Sequence, residues 1–172
     1  MATSHHPVTF KGSPLTLVGR EVKAGDHVPD FMLTANDMSD LSLQKMKGKV
    51  VIIASVPSLD TPVCSAETKK FNEEAAKLGQ NAAVLTVSMD LPFAQKRWCA
   101  AEGATNVVTA SDYKHRTFGE AFGVQLKEWG LLARAVFVVD KAGKIVYSQY
   151  VPEISSEPDY APVLEAAKKA MG

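Results

Sequence analysis

The segment around Cys64 combines residue types that can build a reactive thiol. The apolar run 50–56 predicts a buried strand, and Thr61 and Pro62 then suit the N-cap and the first position of a helix. Cys64 would therefore lie in the first helical turn, where unpaired N–H groups and the helix dipole favour a thiolate. The segment predicts a nucleophilic cysteine. A lone cysteine beside an apolar strand is otherwise a small buried hydrophobic residue.

Cys99, the other cysteine of the chain, lies far from Cys64 in the sequence. This spacing excludes a CxxC redox motif, and two cysteines alone make a poor zinc site. The two can still form a disulfide if their Cα atoms come within about 7 Å, and otherwise the helix ends must first unwind. A core side chain is the alternative for Cys99. His5 and His6 fit a solvated terminus or a tag remnant better than a metal site.

Peroxide reduction is a reaction that uses a primed thiolate and a second thiol. The thiolate attacks the O–O bond and becomes a sulfenic acid, which condenses with the second thiol to a disulfide. Ionisation alone contributes little, because an unperturbed thiol is already a few per cent ionised and complete ionisation gains only about 30-fold. Groups that stabilise the breaking O–O bond and the departing alkoxide must contribute more.

Arg134 is the candidate for that stabilising role. It interrupts the otherwise apolar segment 131–139 near the start of a predicted strand. A permanent cation there is costly unless an anion or a pocket receives it. An arginine that snorkels at a sheet edge is the alternative. In the same pocket, the Thr61 hydroxyl would orient the peroxide and Pro57 would shield the thiolate from water.

Length and composition point to one domain, residues 1–172, and exclude some partners. The chain is 46% apolar and 22% charged, as in ordinary globular proteins. Lys+Arg and Asp+Glu are equal at 19 each, so no basic surplus favours nucleic acid. No apolar run approaches the roughly 20 residues that span a membrane, and the N-terminus lacks the apolar part of a signal peptide. We therefore expect a cytoplasmic protein, in which a cysteine pair is more often catalytic or metal-binding than structural.

Predicted strands and helices alternate along the chain. Apolar runs bounded by turn residues predict an N-terminal hairpin (8–10 and 15–18, within a 1–20 extension), a short strand (31–34) and core strands at 50–56, 82–89, 107–109, 133–139 and 144–150. Turn residues 141–143 make the last two an antiparallel pair. Capping residues and apolar stripes predict helices from Pro62 through Leu78, over 90–101, from Asp112 to Phe122 and from Glu157 to Ala170. This order is typical of an α/β protein with a thioredoxin-like fold, a mixed central sheet flanked by helices.

Several blocks of the sequence resemble the peroxiredoxins. Pro57, Thr61 and Cys64 match their PxxxTxxC signature, and the wider chain resembles the bacterial thiol peroxidases, an atypical two-cysteine peroxiredoxin family. The further blocks are LDTPVC at 59–64, DLPFAQKRWC at 90–99, GLLARA at 130–135 and EPDY at 157–160. The N-terminal hairpin also matches, so the resemblance covers nearly the whole chain. Trp98 stands where Phe is expected.

The resemblance implies an antioxidant enzyme that reduces hydrogen peroxide and organic hydroperoxides to water and alcohols. Cys64 would be the peroxidatic and Cys99 the resolving cysteine, joined as a disulfide within one subunit. Pro57, Thr61 and Arg134 would form the peroxide pocket. The resemblance further implies recycling by thioredoxin, a homodimer, a preference for alkyl hydroperoxides, and no metal or organic cofactor.

Two other functions stay open from the sequence. A peroxide sensor would pass the oxidation of Cys64 to a partner protein. The other alternative is a general thiol–disulfide oxidoreductase, and the missing CxxC motif argues against it. All three need Cys64 in an ordered helical turn, whereas an intramolecular disulfide requires that turn to open. We therefore expect an equilibrium between a folded reduced form and a locally unwound oxidised form.

Overall fold

The computed structural model describes residues 6–172, in which short N-terminal strands precede a series of alternating strands and helices. The strands are β1 (Val8–Phe10), β2 (Ser13–Leu15), β3 (Leu17–Val18), β4 (Leu33–Ala35), β5 (Asp40–Leu41), β6 (Val50–Ser55), β7 (Ala82–Ser88), β8 (Val108–Ser111), β9 (Gln125–Leu126), β10 (Ala135–Val139) and β11 (Ile145–Tyr150). The α-helices are α1 (Pro62–Leu78), α2 (Pro92–Glu102), α3 (Thr117–Ala121) and α4 (Tyr160–Met171), and a 3-10 helix spans Leu43–Met46. His5 and the start of the predicted 1–20 extension lie outside the described residues.

The central sheet is mixed, with the strand order β11-β10-β6-β7-β8-β4-β5. β6, β7 and β8 run parallel, whereas β10 pairs antiparallel with both β6 and β11. The predicted thioredoxin-like sheet and the predicted antiparallel pair at the end of the chain are both confirmed. Among helices within residues 6–172, none is long and apolar enough to cross a membrane.

The two faces of the sheet bury separate apolar cores. Side chains alternate along a strand, so Ile52 of β6 enters one core and its neighbour Ile53 the other. The first core contains Phe71 of α1 and Val163 of α4, and the second contains Phe122 next to α3. β6 is therefore buried on both faces, which explains why its sequence is a continuous apolar run. Cys64 belongs to the core on the α1 face.

The N-terminal hairpin is present but shorter than predicted. β1 pairs antiparallel with β2, with Val8 opposite Leu15. The predicted second strand, 15–18, divides at Thr16, and its last part, β3, pairs with β9 instead. The reason is a tertiary contact: the Thr16 N–H donates to Glu128 and the Thr16 carbonyl accepts the N–H of Lys127.

Asp112 does not begin a helix, in contrast to the prediction. α3 begins at Thr117, after Arg116 with a φ of 57°. The Asp112 carboxylate nevertheless accepts the N–H groups of Phe118 and Gly119, at 3.1 and 2.9 Å. Asp112 thus satisfies N–H groups of the helix that lie six and seven residues later in the sequence. A local capping pattern does not reveal a contact over that separation.

The strand predicted at 133–139 begins two residues late, at Ala135. The Ala133 N–H donates to the carbonyl of Val124, so the chain at this point pairs outside the central sheet. Arg134 consequently lies just before β10, at the end of the central sheet where β6 leads into α1.

Candidate active site

Cys64 lies in the first turn of α1, as the sequence predicts. The helix begins at Pro62 and directly follows the loop that leaves β6. The Cys64 side chain is 0% exposed, and its sulfur is a free thiol. Its position at a helix N-terminus places it near backbone N–H groups that no preceding turn satisfies. Pro57 is also buried in the same loop.

Thr61 occupies the N-cap position but does not cap the helix with its side chain. Its hydroxyl donates instead to the carbonyl of Ser58, at 2.9 Å. A carbonyl can only accept, so the single hydroxyl proton of Thr61 is committed to this bond. The lone pairs of Thr61 Oγ1 are then left to accept a hydrogen bond, and a peroxide O–H is a suitable donor.

Arg134 is buried beside the sulfur of Cys64 and does not snorkel, with only 2% of its surface exposed. Its Nη2 donates to Cys64 Sγ at 3.3 Å. Nε and Nη2 also donate to the carbonyl of Ile154, at 3.0 and 2.8 Å, and Nη1 donates to Glu67 Oε2 at 2.5 Å. Among described residues, the second N–H of Nη1 has no partner. The guanidinium is thus fixed on three sides, with one donor left for a ligand.

The charges around Arg134 keep it cationic. Burial alone would lower the pKa of its guanidinium, but the neighbouring Glu67 and Cys64 outweigh that effect and raise the pKa. A cation in contact with sulfur is the kind of environment in which a cysteine reacts as a thiolate. The same cation can also stabilise negative charge that develops on a departing oxygen.

Glu67 is a site residue that the sequence analysis missed. It lies one helical turn after Cys64, is 0% exposed, and pairs with Arg134. Burial raises the pKa of Glu67 to about 7, even though Arg134 opposes that rise. Among the described residues, its Oε1 has no hydrogen-bond partner. A signal was present: the i, i+3 spacing puts this carboxyl on the buried face of the helix with Cys64.

Glu67→Gln should change how the stability of the protein depends on pH. Below its ordinary pKa of 4.5, Glu67 is protonated in both states; as the pH then rises through about 7, folding must bury a charge. Its stabilising contribution is therefore present at low pH and lost between about pH 4.5 and 7. Both proteins carry Cys64→Ser. Between pH 4 and 8, we expect the free energy of unfolding to fall by about 3 kcal/mol more in the protein that keeps Glu67 than in the Glu67→Gln variant. Denaturant unfolding at each pH measures this, and parallel profiles would contradict it.

Asp90 is a second residue whose place in the site was not predicted. Its carboxylate accepts the Ser58 hydroxyl at 2.7 Å and the Leu59 N–H at 2.8 Å. The loop that carries Pro57 and Thr61 is thereby attached to the short connection between β7 and α2.

Cys99 lies on α2, half-buried, and does not contact Cys64. Its sulfur is 3.4 Å from the hydroxyl of Thr109 on β8, whereas the sulfur of Cys64 contacts Arg134 next to β10. β6 and β7 separate β8 from β10, which corresponds to about 14 Å at about 4.8 Å per strand. A disulfide brings the two Cα atoms within about 7 Å, so the two segments must move before they can join.

Trp98 and Lys69 connect the two cysteine-bearing helices. Trp98 is buried, and its indole N–H donates to Ser65 Oγ at 3.2 Å. Lys69 of α1 pairs with Glu102 of α2 at 2.7 Å. Trp98 and Ser65 each directly adjoin a cysteine in the sequence, so this contact joins the two cysteine-bearing segments.

Potential metal ligands do not cluster in the described part of the chain, where no group of three such side chains occurs. His6 instead stacks on Tyr150 and contacts Glu21 at 3.0 Å.

Comparison with known proteins assigns the chain to a family. The redoxin family model matches residues 23–164. The thiol peroxidase of Bacillus subtilis (strain 168) is 57% identical over 161 residues, which are 94% of this chain and 96% of that protein. The thiol peroxidase of Listeria monocytogenes serotype 4b is 56% identical over 163 residues, 95% and 98% of the two chains. The crystal structure of a peroxiredoxin-like protein from Aquifex aeolicus superposes with a TM-score of 0.90 at 44% identity and covers 99% of both chains. This chain therefore belongs to the redoxin family and, within it, to the bacterial thiol peroxidases.

Proposed function

We propose that this chain reduces hydroperoxides through its two cysteines. Cys64 attacks the hydroperoxide, and Cys99 then converts the resulting sulfenic acid into a disulfide. The contact between Arg134 Nη2 and Cys64 Sγ, 3.3 Å long and fully buried, is the observation that carries the proposal. A guanidinium in that place serves both a thiolate and the oxygen that leaves.

The first step forms an S–O bond and breaks the O–O bond. The terminal O–H of the hydroperoxide donates to Thr61 Oγ1, whose own proton is held by the Ser58 carbonyl. Cys64 Sγ then attacks that oxygen in line with the O–O bond, and the bonding pair departs with the distal oxygen. The free N–H on Arg134 Nη1 stabilises this alkoxide, which takes up a proton and leaves as an alcohol, or as water from hydrogen peroxide. Cys64 is left as a sulfenic acid.

The second step forms the Cys64–Cys99 disulfide. The Cys99 sulfur attacks the sulfenic sulfur of Cys64, and the hydroxyl departs with the Cys99 proton as water. The contacts of Thr109 favour oxidation of Cys64 before Cys99 attacks. The Thr109 hydroxyl donates to Asn36 Oδ1 at 3.1 Å, so it accepts the S–H of Cys99. The sulfur of Cys99, on α2, is thus held against Thr109 of β8 until the α1–α2 contacts open.

The third step returns both thiols and needs an external dithiol. A thioredoxin dithiol attacks the Cys64–Cys99 disulfide through a mixed disulfide, and thioredoxin leaves oxidised. Over the whole cycle, one hydroperoxide and one reduced thioredoxin are consumed, and one alcohol, one water and one oxidised thioredoxin are formed.

A thioredoxin supply implies a reducing compartment, and we accordingly place the chain in the cytoplasm. A homodimer is part of the proposal, and sedimentation velocity would measure it as twice the 18.5 kDa chain mass.

We place an apolar entrance to the peroxide pocket at Leu91 and Phe93, and such an entrance would favour alkyl hydroperoxides. These residues lie one and three positions after Asp90, which contacts the Cys64 loop, and they are 51% and 65% exposed. We expect Phe93→Ser to lower the ratio of kcat/KM for cumene hydroperoxide over hydrogen peroxide about fivefold, because the organic group loses an apolar contact. Met38 is an exposed apolar side chain in the turn between β4 and β5. Met38→Ser is therefore the matched control and should leave the ratio unchanged. An unchanged ratio in Phe93→Ser would contradict this entrance.

Steady-state turnover tests the proposed function against a peroxide sensor. With thioredoxin, thioredoxin reductase and NADPH, we expect sustained consumption of one NADPH per hydroperoxide, and none with Cys64→Ser. A mixed disulfide that persists with another protein, without turnover by thioredoxin, would instead support a relay to that partner. Reduction of a protein disulfide without peroxide would support a general oxidoreductase.

A further inference from the structure

Asp90 contacts the loop of the peroxide pocket without reaching the sulfur of Cys64. We propose that Asp90 is a positioning residue for the first oxidation: it fixes Ser58, and the Ser58 carbonyl in turn fixes the direction of the Thr61 hydroxyl. This inference rests on the proposed function, because it concerns the rate at which Cys64 takes up oxygen from a hydroperoxide.

The Asp90 side chain has every carboxylate oxygen engaged. Oδ1 accepts the Ser58 hydroxyl at 2.7 Å, and Oδ2 accepts both the Leu59 N–H and the Ser88 hydroxyl at 2.8 Å. Two of these three donors belong to the loop between β6 and α1. Asp90 therefore connects that loop to the end of β7, a strand of the central sheet.

Buried hydroxyls anchor Asp90 itself. Ser88 and Ser111 end the neighbouring strands β7 and β8, and both are 0% exposed. The Ser111 hydroxyl donates to the Asp90 carbonyl at 2.5 Å, and Gln95 donates to the Ser88 hydroxyl at 2.9 Å. The carboxylate is thus held by rigid elements of the sheet, which is what a residue that positions another group requires.

Ser58 transmits this position to Thr61. Its carbonyl accepts both the N–H of Thr61, at 3.1 Å, and the hydroxyl of Thr61, at 2.9 Å. The Ser58 hydroxyl also accepts the N–H of Asp60 at 3.2 Å. If Ser58 moves, the Thr61 proton loses its fixed acceptor, and Thr61 Oγ1 no longer presents only lone pairs to the peroxide. A displacement of about 1 Å in a reacting group can cost about 100-fold in rate.

Asp140 provides a matched control within the same chain. Its carboxylate also closes a turn by accepting two backbone N–H groups, of Ala142 and Lys144, both at 2.9 Å. That turn joins β10 to β11 at the opposite end of β10 from Arg134. Removing this carboxylate costs hydrogen bonds of the same kind without reaching the Cys64 loop.

The test compares two reactions of Cys64 in a Cys99→Ser background: oxidation by hydrogen peroxide and alkylation by iodoacetamide. We expect Asp90→Ala to slow oxidation about 30-fold and Ser58→Ala about fivefold, with no slower alkylation in either. Asp90→Asn keeps an acceptor oxygen for Leu59 and Ser88 and should recover to within about threefold of the parent. Asp140→Ala should be oxidised at the parent rate.

Several results would overturn the inference. These are parent-rate oxidation in Asp90→Ala, an equal loss in Asp140→Ala, or alkylation that falls in parallel with oxidation. If Asp90→Ala does not fold, Ser58→Ala decides alone, and oxidation at the parent rate would refute the inference. A parent protein whose Cys64 does not react with peroxide would refute the proposed function itself, which separates the two failures.

Discussion

Arg134→Met, made together with Glu67→Gln, is expected to slow the oxidation of Cys64 by hydroperoxide about 1000-fold relative to Glu67→Gln alone. The loss of one preorganised donor to a developing oxyanion costs about 100-fold to 1000-fold. Arg134 donates to the sulfur and, in the proposed first step, would also donate to the leaving oxygen. The paired design matters because Arg134 alone cannot be removed cleanly. A single replacement would leave Glu67 buried without its cation, at a cost of about 3–5 kcal/mol in stability.

Alkylation of Cys64 separates the two roles of Arg134. Iodoacetamide requires the thiolate but has no O–O bond, so we expect its rate to fall by no more than about tenfold in the double variant. Stopped-flow oxidation and alkylation are measured on the same preparations. Equal losses in the two rates would assign Arg134 to thiolate activation alone and would remove it from the transition state.

Cys99→Ser is expected to leave the first oxidation intact and to lower turnover with thioredoxin about 100-fold or more. In the parent, the Cys99 sulfur contacts Thr109 of β8, away from Cys64, so its removal should not disturb the peroxide pocket. Without the resolving thiol, Cys64 should stay as a sulfenic acid and be oxidised further to sulfinic acid by excess peroxide.

Mass spectrometry after one and after ten equivalents of hydrogen peroxide measures both products of Cys99→Ser. Cys64→Ser is the control and should take up no oxygen at either dose. Turnover at the parent rate in Cys99→Ser would show that thioredoxin, or another thiol, attacks the sulfenic acid directly. It would also remove Cys99 from the cycle.

The sheet was the part of the fold that the sequence predicted best. β6 and β10 are continuous apolar runs because both are buried on two faces, and such runs are visible without knowledge of their neighbours. β3 was joined to the hairpin because its true partner, β9, lies more than a hundred residues away. The start of α3 was misplaced for a related reason, since Asp112 satisfies N–H groups across a turn that local patterns do not define.

The site was predictable where its residues follow a local pattern. Thr61, Pro62 and Cys64 mark a helix start, and Arg134 interrupts an apolar strand. Glu67 was missed because a glutamate on a helix usually faces water, and only its contact with Arg134 explains its burial. Asp90 was interpreted as part of a helix start, since its contact with the Cys64 loop joins segments that only the fold brings together. Thr61 lies at the predicted N-cap position, but its hydroxyl donates to the Ser58 carbonyl rather than capping the helix.

A peptide map after one equivalent of cumene hydroperoxide tests whether peroxide links Cys64 to Cys99 within one chain. The reduced protein is oxidised, its free thiols are blocked, and it is digested without a reductant. We expect a single cross-linked species, Cys64–Cys99 within one chain, together with one molecule of cumyl alcohol per protein. Two unreacted thiols would contradict the peroxidase assignment, and a Cys64–Cys64 link between chains would contradict the resolving role of Cys99.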